Sequence, residues 1–328
     1  MDRRRFLSLT VGGVAGVAAA ARARAALALD YPSRPVRLVV GFPPAGSADI
    51  VTRLVAQALT ERTGQSFIVD NRPGAGSNLA AEVVARAEPD GTTLLSVTVA
   101  NAINPTLYSK LNYDYVRDFA PVASIDVVPN VMEVNPSVPA TTVPEFIAYA
   151  KANPGKINMG SGGNGSSPHV AGELFKMMTG VEMLHVPYRG MAAAATDLLG
   201  GRLQVLFDTL PASIDHIRTG RTRALAITSR TRSKILPDVP TLAESVPGYE
   251  ATSFHGIAAP KATPPEIVER LNADINAVLA EPKLAARIGD LGGDILTGTP
   301  ADFGRFMAQE IDKWGRVVRF SGAQQDGT

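Results

Sequence analysis

From Val36 onward the chain alternates short, continuous apolar runs with longer stretches of helical spacing, and this alternation constrains the fold more than any other feature. Residues 36–40 are apolar but for Arg37, as a strand largely covered on both faces is. Ile50, Val51, Leu54, Val55, Ala58 and Leu59 follow at the three- and four-residue spacing of one helix face, and Gly64 supplies a stop. Residues 67–69 read as the next strand, 79–87 as helix and 94–97 as strand, with Pro89-Asp90-Gly91 as the intervening turn. This order predicts an α/β fold with a parallel sheet and right-handed crossovers.

A stretch punctuated by Pro121, Pro129, Pro136 and Pro139 leads into a second series of the same kind. Thr142 and Glu145 have the spacing of a capping box, opening a helix around Phe146, Ile147 and Tyr149. Residues 157–159, 183–186, 205–207 and 224–228 read as strands, and 168–178 and 192–199 as helices. Thr263 with Glu266, and Thr299 with Asp302, have capping-box spacing ahead of two amphipathic helices, the second carrying Trp314 as a core residue. A chain of 328 residues suggests two domains at roughly 150 residues each.

In both series the glycine-rich and polar segments stand where strands end: residues 41–47, 71–78, 99–104, 160–167, 187–190 and 208–211. Open α/β sheets bind ligands at that edge, so two such edges predict two lobes facing each other across a cleft. The segment from Phe42 to Asp49 joins a strand to a helix, and Ala45 and Gly46 leave room for a ligand to approach the backbone. Ser47, or the N–H groups of Ala48 and Asp49, can donate to that ligand. Residues 71–78 repeat the design, with Gly76, Ser77 and Asn78 leading into a helix. Residues 161–168 repeat it again, with Ser167 expected at the cap and Pro168 at the first helical position. Unpaired N–H groups and the positive dipole ends of helices can hold a carboxylate without a lysine or arginine. The candidate ligand-binding residues are therefore Phe42, Ala45, Ser47, Ala48, Asp49, Gly76, Ser77, Asn78, Thr98, Asn101, Ser161, Asn164, Gly165, Ser167, His169, Tyr188 and Asp208.

Composition excludes several alternatives. Lys and Arg number 32 against 31 Asp and Glu, a balance without the basic excess of a nucleic-acid binder. The absence of cysteine removes thiolate catalysis, disulfides and iron–sulfur clusters, and four scattered histidines give no metal-ligand spacing. Residues 160–165 match G-x-G-x-x-G, but Ser-Ser-Pro separates Gly165 from the helix and Glu182 opens the next strand instead of closing it, so no dinucleotide is expected. A serine hydrolase would be the enzymatic alternative, yet no G-x-S-x-G occurs. His169 is expected either as a donor to backbone or ligand near a helix cap or as a packing residue, His185 as a core histidine, and Asp208 either as a ligand acceptor or as a cap for the helix at Pro211. No catalytic residue, metal or cofactor is expected, and the protein is expected to be a monomer.

Arg3-Arg4-Arg5-Phe6-Leu7 fits a twin-arginine export signal, followed by an apolar, glycine-rich run too short to span a bilayer and by small residues suited to cleavage near Ala28. Residues 1–28 are thus expected to be a signal peptide that sends the mature chain to the periplasm.

The chain also resembles a known family, the Bug receptors of tripartite tricarboxylate transporters. The resemblance rests on Gly41 through Asp49, Asn71-Arg72-Pro73-Gly74-Ala75-Gly76, Pro89-Asp90-Gly91-Thr92-Thr93-Leu94 and Gly160 through His169. It continues through His185-Val186-Pro187-Tyr188-Arg189-Gly190, Leu198-Leu199-Gly200-Gly201, Arg223-Ala224-Leu225-Ala226, Leu236-Pro237-Asp238-Val239-Pro240-Thr241 and Ala259-Pro260. Ala45 stands where the family usually has the first of two glycines, and His255 where Trp or a neighbouring aromatic is common. The resemblance implies a type II periplasmic-binding-protein fold, with lobe 1 from residues 29–127 plus 251–328 and lobe 2 from 128–250. It also implies a small organic carboxylate as ligand, held by backbone N–H groups and bridging waters, and membrane permease subunits as partners. A secreted hydrolase or an inert carboxylate sensor using the same cleft is the alternative.

Overall fold

A computed structural model describes residues 31–325, so the expected signal peptide lies outside the described residues. Strands β1 (Val36–Val40), β2 (Phe67–Asn71) and β3 (Thr93–Thr98) are mutually parallel in the order β2-β1-β3. Helices α1 (Ser47–Thr63), α2 (Asn78–Ala85) and α3 (Val99–Leu107) follow them in turn. After the short helix α4 (Tyr115–Asp118), strand β4 runs through 16 residues, Phe119–Val134. The second series then gives α5 (Val143–Ala152), β5 (Ile157–Ser161), α6 (Ser167–Thr179), β6 (Met183–Pro187), α7 (Met191–Leu199), β7 (Val205–Thr209), α8 (Leu210–Arg218) and β8 (Arg223–Ile227). Strand β9 (Thr252–Pro260) precedes α9 (Pro265–Leu279), α10 (Pro282–Asp290), β10 (Asp294–Ile295) and α11 (Pro300–Ser321).

The sheet order is β2-β1-β3-β9-β4-β7-β5-β6, with β8 and β10 also paired to β4. It is mixed rather than parallel: β9 runs antiparallel to β3 and β4, and β4 antiparallel to β7 and β8. The correction has a simple source. Strands β4 and β9 are not joined to their neighbours by a crossover helix, so nothing imposes the parallel direction. Strand β4 pairs with β9 as far as Pro129↔Thr252 and with β7 from Asn130↔Thr209 onward, so one strand links the two halves of the sheet.

Two large cores cover this sheet, beside smaller clusters around Leu198 and Leu210. Val51, Val55 and Leu59 of α1 and Ile267, Leu271 and Ile275 of α9 pack with Val36 and Leu38 of β1. Phe303, Met307 and Trp314 of α11 share the other core with Ile103 and Leu107 of α3 and with Val170, Leu174 and Phe175 of α6. Trp314 is fully buried, and its indole N–H donates to Glu310 Oε2 at 2.8 Å.

Three local expectations are corrected. Residues 99–104 are helix α3 rather than a loop, its start held by Asn101, whose Oδ1 accepts from the Thr98 N–H at 2.9 Å. Ser166, not Ser167, caps α6, its hydroxyl accepting from the His169 N–H. Helix α9 begins at Pro265 behind Pro264, so Thr263 does not cap it. The box at Thr299 forms with Asp302, whereas at Thr142 the hydroxyl accepts from the Glu145 N–H but the Glu145 carboxylate accepts from the Thr141 N–H and hydroxyl instead.

Candidate functional site

A cleft of about 630 Å³ opens where β1, β3 and β5 hand over to their helices. Its floor on one side is the turn from Phe42 to Gly46 and the start of α1. No side chain caps α1, and its first intrahelical bond runs from Ile50 N–H to Gly46 O. The N–H groups of Ser47, Ala48 and Asp49 therefore have no intrahelical acceptor and stand at the positive end of a 17-residue helix. Asp49 does not face the cleft: its carboxylate accepts from the Ala45 N–H at 2.9 Å, from Arg53 and from Asn71, and so ties the turn shut. Burial works against its ionisation, but these hydrogen bonds outweigh burial and hold the carboxyl below its ordinary range.

Beside this turn, Gly74, Ala75, Gly76 and Ser77 all have positive φ, a backbone that presents Gly76 to the cleft. Ser77 is packed against Gly41, where a Cβ would fall 2.0 Å from the Ser77 hydroxyl oxygen, so this approach requires glycine. Asn104 of α3 clamps the same turn, donating to Gly76 O at 2.8 Å and Asn78 Oδ1 at 2.7 Å. Thr98, Val99 and Ala100 at the α3 start complete this wall. Opposite them, Gly162 and residues 164–167 bring the α6 N-terminus to the cleft, and Gly165 lies close against Leu107 and Ile103 of α3.

Of the residues expected from sequence, the structure brings Phe42, Ala45, Ser47, Ala48, Gly76, Thr98, Asn164, Gly165 and Ser167 together around the cleft. Asp49, Ser77, Asn78 and Asn101 stand behind its wall and shape the turns. Ser161 is turned to His185, 2.6 Å from its Nε2. His169 is an acceptor rather than a donor at Nδ1, receiving the Gly165 N–H at 3.1 Å, and its ring stacks on His185 at 3.9 Å. Burial, then the His185 and Lys176 charges, push His169 down to about 3, and burial and Lys176 push His185 down to about 4, so both rings are neutral supports of the α6 turn. Tyr188 donates to Asp197, and buried Asp208 accepts from the Thr209 N–H, both away from the cleft lining.

In the sequence His255 stands out only as a departure from the family pattern, and its pairing with Asp126 does not show at all. His255 of β9 lines the cleft, with Nε2 3.3 Å from Ser47 Oγ and Nδ1 2.7 Å from the buried Asp126 Oδ1. Asp126 and His255 are register partners across β4 and β9, a pairing with no local sequence signature. Among the described residues lining the cleft there is no Lys or Arg. Arg72 is bound to Asp70, and Arg189 is exposed.

A cleft whose donors are helix N-termini suits a small anion, and comparison with known proteins agrees. The model of the tripartite tricarboxylate transporter family receptor matches residues 51–322. The chain belongs to this family. BugT of Bordetella pertussis is 37% identical to it over 90% of this chain and 91% of that protein. The structure of R. palustris Rpa4515 with adipate is 40% identical, covering 90% of this chain and 99% of that one, at a TM-score of 0.78. That of MatC (Rpa3494) from Rhodopseudomonas palustris with bound malate is 30% identical, covering 88% and 100%, at a TM-score of 0.74. The periplasmic binding protein BugD is 32% identical over 90% of this chain and all of its own, with the same TM-score. The fold is thus that of the Bug-type periplasmic receptors, a two-lobe solute-binding fold, and this receptor family is one of solute-binding proteins rather than enzymes. Among the described residues no helix is long and apolar enough to cross a membrane.

Proposed function

We propose that this receptor captures a small organic carboxylate in the periplasm and presents it to the permease subunits of a tripartite tricarboxylate-type transporter, without chemical turnover. The observation that carries this reading is the cleft itself: the N-terminus of α1, the α3 start and the α6 turn converge on it, and among the described residues no lysine or arginine lines it. Phe42, Ala45, Ser47, Ala48, Gly76, Thr98, Asn164, Gly165 and Ser167 hold the acid, and the binding of adipate and malate by relatives supports that class of ligand. Asp49, Ser77, Asn78, Asn101, Ser161 and His169 keep those residues in place. Residues 1–28 serve as a twin-arginine signal and are cleaved on export. Lobe 1 (29–127 plus 251–328) and lobe 2 (128–250) close as a hinge at the crossings near residues 125–130 and 247–253, where β4 changes partner.

A thermal-shift panel of mono-, di- and tricarboxylates with generic esters as controls tests the reading. An acid at 100 times its Kd adds about 2.7 kcal/mol to stability, a shift of several degrees. The expected outcome is a shift with one or a few acids and no product formed from them. A panel in which no carboxylate moves the melting temperature, or one in which esters are turned over steadily, contradicts it.

A further inference from the structure

Among the described residues lining the cleft, His255 is the one whose side chain can carry a positive charge. Its ring is fixed from behind. Asp126, fully buried on β4, takes Nδ1 at 2.7 Å, and its second oxygen is buried without a partner. The other side of the ring is held far more loosely, with Ser47 Oγ 3.3 Å from Nε2 at the open start of α1. Thr98 of β3, the register partner of His255 on its other flank, is neutral. Asp49, two residues beyond Ser47, is turned away into Ala45, Arg53 and Asn71. Asp126 is therefore the charged group that faces the imidazole, and the cleft-side nitrogen is free to turn to a guest.

We propose that His255 is the carboxylate grip of this cleft: it takes a proton from solvent as the acid binds and donates Nε2–H to a ligand oxygen. Nδ1–H stays on Asp126, so the imidazolium lies between two carboxylates, the arrangement that most favours its charged form. Ser47 then donates its hydroxyl to the same ligand carboxylate. This inference rests on the carboxylate-receptor reading and adds to it a proton taken up with each acid. The proximity of Ser47, His255 and Asp126 could equally be read as a nucleophile relay. The 3.3 Å separation of Ser47 from His255 and the single partner of Asp126 favour the grip.

Calorimetric titration of adipate and malate into the full chain, in buffers of different ionisation enthalpy from pH 6.5 to 8.5, reads this directly. The wild-type protein is expected to take up close to one proton per acid at pH 8.5 and to lose about tenfold in affinity across the range. His255→Gln, which keeps a donor but cannot accept a proton, is expected to bind more weakly at pH 6.5 with no proton uptake and a flat pH profile. Asp126→Asn is expected to reduce the uptake as well. Binding by wild type without proton uptake, or uptake unchanged in His255→Gln, overturns this inference alone. Failure of adipate, malate and every other acid of the carboxylate panel to bind overturns it together with the receptor reading. Release of p-nitrophenolate from p-nitrophenyl acetate by wild type but not by Ser47→Ala overturns the grip in favour of a nucleophile relay.

Discussion

Ala45, Ala75 and Ser77 hold φ of 68°, 46° and 79°, a backbone that disfavours any side chain, and all three stand in the two turns beside the cleft. Each residue of this kind costs about 1–2 kcal/mol that the surrounding turn offsets. Ala75→Gly is therefore expected to raise stability by about 0.5–1 kcal/mol in urea unfolding; a loss would show that the Ala75 methyl is needed for packing. A different stress sits on two buried acids. Burial raises Glu133 to about 7 and Asp208 to about 6, partly offset at Glu133 by the hydrogen bond from Ser213. The native protein then binds more protons than the unfolded chain between about pH 4 and 7, so these groups cost stability as pH rises through that window. Glu133→Gln keeps the acceptor for Ser213 and is expected to stabilise by about 1–3 kcal/mol at pH 8 and hardly at all at pH 4. Equal effects at both pH values would mean that the carboxyl is not held protonated. The glycines of these turns were legible in the sequence, because composition marks them. The strain at Ala75 and Ser77 was not, since nothing local distinguishes them from ordinary residues, while Ala45 showed only as the replacement of a family glycine. His255 showed only as the replacement of a family aromatic, and its pairing with Asp126 was hidden, as 129 positions separate them and strand register alone brings them together.

The helices show the same division. Thr299 and Asp302 cap each other's backbone at the start of α11, and Thr299→Ala is expected to cost about 1 kcal/mol. Thr263 has the same spacing to Glu266 but caps nothing, and its buried hydroxyl has no partner. Thr263→Val is accordingly expected to be neutral or slightly stabilising, and chemical denaturation of the two variants separates a real cap from a sequence coincidence. Pro265 at the first helical position explains why the second box fails: Pro264 before it already fixes the entry, and the chain turns one residue later than the spacing suggests. Strands flanked by apolar periodicity were readable, as at β1 and β3. Strand β4 was not, because prolines at 121 and 129 mark it as a connection, although it pairs with β9 up to Pro129 and with β7 beyond. Pro121 and Pro129 lie where the β4 register shifts or changes partner, positions that tolerate a missing donor.

At the scale of the molecule, α11 packs on both α3 of the first series and α6 of the second, so it braces the two halves from behind the cleft. The contact between Gly165 and Leu107 joins the same halves at the front. Two lobes and a cleft were foreseeable from two series of strand-ending glycine loops; the brace was not, because an amphipathic helix does not announce which surfaces it covers. On the proposed function, an acid is held between these halves by helix N-termini, short hydroxyls and one imidazole, with no arginine clamp. Gly165 has φ of 75° and a Cβ there would fall 2.2 Å from Leu107 Cδ2, so Gly165→Asp both blocks the approach and sets a negative charge against the bound acid. Adipate affinity, measured by calorimetry for Gly165→Asp beside Arg72→Ala and Arg189→Ala, is the most direct test. The expected result is loss of binding in Gly165→Asp and wild-type affinity in both arginine variants. Normal binding by Gly165→Asp together with loss in either arginine variant would contradict the claim and put an arginine clamp in its place.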